Sequence, residues 1–119
     1  TPIRRQRQMC IRDSAKAVEV AALNIERNQI NGIEIFEADV FEWKNSQRFQ
    51  VVAANLFSTV LVGALPLMTK WIESKGRLIL SGILAEQWQE VWDKAEECGF
   101  QLVSDKKIGK WMTASFDAP

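Results

Sequence analysis

There is no histidine among the 119 residues, which removes the commonest general base, the usual activator of a hydroxyl nucleophile and the commonest metal ligand. Hydrolases built on a Ser-His-Asp constellation are excluded by composition alone. Cysteine is scarce too: Cys10 and Cys98 stand far apart without companion ligands, so neither a disulfide framework nor a zinc site is indicated. That usage fits a reducing cytoplasm. Neither sign of charge is in excess, with 15 Lys+Arg against 15 Asp+Glu, so no global field recommends nucleic acid or an acidic membrane as a partner. Lys106, Lys107 and Lys110 are the late basic cluster, and a solvated loop is the simplest account of them. No apolar run approaches the roughly 20 residues that a bilayer span needs. Any chemistry in such a chain must work by positioning and hydrogen bonding.

What is present points to an α/β domain. The chain is 47% hydrophobic and long enough for one core. Val51-Val52-Ala53-Ala54 is a short apolar run that reads as a strand buried on both faces, the pattern of a parallel sheet covered by helices. Asn55-Leu56-Phe57 follows at its carboxyl end, where ligands bind in open α/β sheets. Gly76-Arg77-Leu78-Ile79-Leu80-Ser81-Gly82 repeats the arrangement as a second apolar strand ending in small residues. Two such strand ends, with helical segments between and after them, predict a doubly wound fold.

Val18, Ala21, Ala22 and Ile25 recur at helical spacing from Ala15 to about Asn28, and Asn31-Gly32 supplies the turn after them. Ile33 to Ala38 reads as a strand with Asp39 at its carboxyl end. Leu61, Ala64, Leu65, Met68 and Ile72 form a second stripe, in which Pro66 should kink or split the helix. A third helix is expected from about Ala85 to Cys98, with Trp88, Val91, Trp92 and Ala95 on one face and Gly99 as its stop. At that spacing Trp88 and Trp92 read as core or interface before ligand-stacking platforms. Phe100 to Ser104 and Lys110 to Phe116 alternate as strands on either side of a turn at Lys106–Lys110, which predicts an antiparallel finish.

Residues 1–14 look foreign to this pattern. Arg4, Arg5, Arg7 and Arg12 fall in a segment without amphipathic period, and Arg4 to Ser14 resembles the translation of a transposon-end adapter used in sequencing libraries. All of residues 1–14 read as non-native and are set aside from the fold, a basic nucleic-acid arm being the rival account. Residues 15–119 are then expected to be one partial domain.

The Asn55-Leu56-Phe57 strand end, the Pro66 helix, Ser81-Gly82-Ile83-Leu84-Ala85-Glu86-Gln87, the helix closed by Gly99-Phe100 and the late Lys110-Trp111 strand form a series. This series resembles the methyltransferase domain of the PrmA family, which methylates a ribosomal protein of the large subunit. The resemblance covers residues 15–116 and implies a partial Rossmann-like class I methyltransferase fold: a parallel sheet with an antiparallel last strand and its first two strands missing. It implies S-adenosyl-L-methionine as cofactor, with an incomplete site, since the glycine-rich turn and the acidic ribose-binding strand end of the family are not found. By the same resemblance Asn55 orients the amine near the cofactor methyl, and Asp39 with Val40 meets the adenine. The residues alone leave Asn55 open as a cap of the following helix and Asp39 as a turn or cap residue. Leu56 and Phe57 could border an amine channel, with packing the simpler role for Leu56. A ribosomal protein is the implied partner; a small-molecule or RNA methyltransferase, or a silent partial domain that self-associates through exposed sheet edges, are the alternatives.

Overall fold

The computed structural model describes residues 8–29 and 32–119. In chain order they form β1 (Gln8–Arg12), α1 (Ala15–Arg27), β2 (Ile33–Glu37), β3 (Phe49–Asn55), α2 (Ser58–Met68), β4 (Ile72–Leu84), a 3-10 turn (Ala85–Gln87), α3 (Trp88–Glu97), β5 (Gln101–Ile108) and β6 (Trp111–Asp117). Where the sequence predicts one domain over residues 15–119, the chain divides into two compact units, Thr1–Lys44 and Asn45–Pro119.

In the first unit β1 and β2 pair in parallel, from Gln8↔Ile33 to Arg12↔Glu37, with α1 as the crossover between them. Ser14 caps α1 by accepting from the Ala17 N–H at 3.1 Å. Ala21 is buried and Val18 and Ile25 are half-buried, but Ala22, placed on the same stripe by its spacing, is exposed. A strand thus forms at Gln8–Arg12, within the segment that the sequence led us to set aside. Ladder hydrogen bonds are made by backbone alone, so pairing with β2 needs no alternation of side chains. Residues 1–7, with most of the arginine run, and Asn31 of the predicted turn lie outside the described residues.

The second unit is a four-stranded sheet in the order β3-β4-β6-β5. β3 and β4 are parallel, and β6 runs antiparallel to both β4 and β5, which is the finish the alternating segments predict. Leu78, Leu80 and Ile83 of β4 and Met112, Ala114 and Phe116 of β6 are buried on one face, together with Leu61, Leu65 and Met68 of α2 and Val91 of α3. Trp88 belongs to this core: its ring centroid lies 5.7 Å from that of Trp92 and 6.1 Å from that of Phe116. Gly99, at φ +94°, ends α3, and the Phe100 N–H donates back to the Ala95 carbonyl at 3.0 Å.

Three expectations are corrected. β3 is not buried on both faces: Val51 is 56% exposed, and among the described residues β3 is an end strand of its sheet. Pro66 does not split its helix; it sits in the last turn of α2, where only one backbone bond is lost, while Ile72 of the predicted stripe starts β4. The predicted turn at Lys106–Lys110 shrinks to Gly109-Lys110, since Ile108 pairs with Trp111 and Lys106 and Lys107 continue β5. Gly109, at φ +58°, lets two residues close the hairpin.

Phe116 is fully buried against Trp88. Phe116→Ala should therefore cost about 3–5 kcal/mol of stability, read by urea denaturation; a loss under about 1 kcal/mol would show that this core is not the one holding the sheet.

Candidate functional site

The parallel ladder of β3 and β4 ends at Asn55↔Ser81, its last rung, at the carboxyl end of β3. Asn55 is exposed, and its side-chain amide makes no hydrogen bond to a described residue. The helix after it does not use it as a cap: the N-cap of α2 is Phe57, which has no side-chain bond of its own. The cap role left open by the sequence is therefore not realised. Ser58, the first residue of α2, is buried with its hydroxyl unpaired among the described residues. Leu56 is half-buried, whereas Phe57 is 79% exposed, an apolar ring held at the rim of the strand end.

On the β4 side of this end lies Gly82, at φ +77°. A Cβ there would overlap Oδ1 of Asn55 and stand 3.2 Å from its Cγ. The Asn55 amide thus rests directly on the Gly82 backbone. In the sequence Ser81 and Gly82 read as the small residues that end an apolar strand; the link of Gly82 to Asn55 was not legible, because it joins residues on different strands.

Asp39 and Val40 lie in the first unit, just past β2. Asp39 is exposed and Val40 half-buried. Oδ1 of Asp39 accepts from the Phe41 N–H at 2.9 Å, and its carbonyl accepts from the N–H groups of Glu42 and Trp43 at 3.0 and 2.9 Å. The turn role is therefore real, and Oδ2 stays available as an acceptor beside it.

Further along β4, an open groove of about 510 Å³ is lined by Leu84, Ala85, Glu86, Lys107, Gly109 and Lys110. Lys110 lies 5.3 Å from the Trp111 ring centroid. Burial pushes the Cys98 thiol above its ordinary range, Lys94 opposing and Glu97 adding to the shift, so its nucleophilic thiolate is disfavoured.

The sequence pattern of the family described as ribosomal protein L11 methyltransferase (PrmA) matches residues 8–118. Among curated relatives, the ribosomal protein L11 methyltransferase of Desulforamulus reducens is 32% identical over 98 residues, covering 82% of this chain and 32% of that protein. The protein of the same name from Streptococcus thermophilus is 31% identical over 101 residues, covering 84% and 32%. The chain thus spans about a third of the length of these relatives. In fold it is similar to the crystal structure of a ribosomal protein L11 methylase from Lactobacillus delbrueckii subsp. bulgaricus, with a TM-score of 0.87 at 20% identity, over 93% of this chain and 57% of that one. It is similar also to the N-methyltransferase NodS of Bradyrhizobium japonicum in complex with S-adenosyl-L-homocysteine, with a TM-score of 0.77 at 18% identity, over 95% and 67%. The chain belongs to the PrmA family and has a partial class I methyltransferase fold.

Proposed function

We propose that this chain is part of the catalytic domain of an S-adenosylmethionine-dependent protein methyltransferase that methylates amines, of lysine or of an amino terminus, on a large-subunit ribosomal protein. Family membership and the name its relatives carry support the substrate; the fold alone would serve other acceptors equally well. The observation that carries the chemistry is Asn55, an amide at the carboxyl end of β3, level with Ser81, with no side-chain hydrogen bond to a described residue.

When bound, the cofactor supplies an electrophilic methyl group on a sulfonium, already a good leaving group. What remains for the protein is to align a neutral amine, and an amide oxygen does this by accepting an N–H without acting as a strong base. Asn55 would take that role, and the exposed Phe57 ring would border the amine's path. Asp39 would accept from the adenine amino group through the oxygen its turn leaves available, with Val40 against the ring. Within the first unit, an acceptor carboxylate with an apolar neighbour suits an adenine; within the second, an amide suits the amine at the methyl. No Gly-x-Gly-x-x-Gly stands among the six glycines, so the methionine cradle must come from elsewhere in the enzyme. The chain alone is then catalytically silent, and the uncharged β3 edge Val51-Val52-Ala53-Ala54 invites pairing with a second copy.

Three outcomes are expected. Calorimetric titration of the 119-residue chain with S-adenosylhomocysteine should give weak binding or none; micromolar affinity, about −8 kcal/mol, would show a complete site. In the longer enzyme carrying this segment, Asn55→Ala should slow methyl transfer by one to several orders of magnitude, about 1.4 kcal/mol of barrier per tenfold. A folded variant working at the parent rate would make Asn55 structural. Light scattering should find oligomers of the isolated chain that Val51→Lys shifts toward monomer; monodisperse parent protein would remove the edge-pairing reading.

A further inference from the structure

We infer that the Ser81-Gly82 bulge of β4 sets the Asn55 amide, which makes Gly82 a positioning residue for methyl transfer. The inference rests on the reading of Asn55 as the amine-orienting residue and adds to it how that amide is held.

β4 obeys two partners at once. Against β3 it stays in step from Val51↔Arg77 to Asn55↔Ser81. Against β6 it does not: between Leu80↔Ala114 and Ile83↔Met112, β4 advances three residues while β6 advances two. The extra residue is a bulge, and Gly82 sits in it with φ +77°, a left-handed conformation that glycine adopts without penalty. Bulges re-aim what lies beside them, and this one turns a bare Cα toward the end of β3. The Asn55 amide occupies the space a Cβ would need: Oδ1 would be overlapped, Cγ would be 3.2 Å away and the Leu56 carbonyl oxygen 3.9 Å away.

Asn55 makes no side-chain hydrogen bond to a described residue, so its seat is steric. Oδ1 is the group that faces Gly82, and turning the amide about χ2 exchanges Oδ1 with Nδ2 inside the same space. Only Oδ1 can accept an amine N–H, so the amide must be free to turn Oδ1 outward, which a flat floor allows. Gly32 gives the contrast. It too has a positive φ, +87°, yet a Cβ there meets nothing within 4 Å, so its glycine answers only the backbone.

The test uses the longer enzyme carrying this segment, with Asn55→Ala, Gly82→Ala, the double variant and Gly32→Ala as a control for left-handed strain alone. Single-turnover methyl transfer, S-adenosylhomocysteine affinity and melting temperature are read on each. Gly82→Ala should slow transfer roughly tenfold or more, with cofactor affinity near the parent value and a melting loss near that of Gly32→Ala. The double variant should be no slower than Asn55→Ala, since the obstructed amide is gone. Gly82→Ala at the parent rate, or a double variant slowed roughly tenfold beyond Asn55→Ala, would overturn the inference. Asn55→Ala at the parent rate would instead overturn the proposed role of Asn55. If Gly82→Ala unfolds the enzyme, a double variant that folds supports the contact, and a double variant that unfolds equally removes it.

Discussion

Everything of chemical interest in the second unit hangs on the double pairing of β4. Its parallel ladder with β3 brings Asn55 level with Ser81, and its antiparallel ladder with β6 ties the same strand to the closing hairpin. A strand held on both edges has little freedom to slip, because a one-residue shift would turn Leu78 and Leu80 out of the core. The extra residue at Ser81-Gly82 is therefore absorbed where the β3 ladder ends. There it disturbs one edge only, and β4 rejoins β6 at Ile83, itself fully buried. Core packing on one side of the bulge and strand pairing on the other hold the backbone beneath Asn55 in place.

The elements that were legible in the sequence are those fixed by local pattern. The α3 stripe of Trp88, Val91 and Ala95 is buried as its spacing predicts, and Gly99 ends the helix where a left-handed residue is needed. Leu61, Ala64, Leu65 and Met68 are buried in the same way. What was not legible depends on partners distant in sequence. The apolar run of β3 has the composition of a central strand, yet composition does not say whether a neighbour lies on each side, and Val51 is exposed. β1 has no strand-like alternation to announce it, because its pairing to β2 is made by backbone. The hairpin was read too short for a related reason: the polar Asp105-Lys106-Lys107 stretch looks like a loop, but cross-strand register with Ala114, Thr113 and Met112 keeps it extended.

The candidate site divides along the same line. Asn55 was legible because an amide that follows four apolar residues marks a strand end, and strand ends of α/β sheets face ligands. Whether it would cap α2 instead was a matter of two residues of register, and the helix starts just late enough, with Phe57 as its N-cap, to leave the amide unused. Asp39 shows the opposite balance. Its turn role is realised and still leaves an acceptor over, since an Asx turn engages one carboxylate oxygen and not the second. The Gly82 contact had no local sequence signal, because it joins β3 to β4 through a bulge that only the β6 register reveals.

A chain without histidine constrains how such a site can work. This chain itself offers no imidazole for proton abstraction, and an amide near neutral pH neither gains nor loses a proton, so Asn55 can orient an amine but not deprotonate it. The acceptor then contributes direction and not basicity, and its value falls steeply with misalignment, since an in-line displacement tolerates little error in angle. An acceptor of that kind has to be held rigidly, yet Asn55 has no hydrogen bond to a described residue with which to hold itself. Under the proposed role, steric seating on a glycine backbone answers both demands: it fixes where the amide lies without spending its hydrogen-bonding groups. A hydrogen-bonded anchor would have consumed one of them. The composition of the chain, the unengaged amide and the left-handed glycine beneath it are in this sense one arrangement, and positioning is what all three have in common.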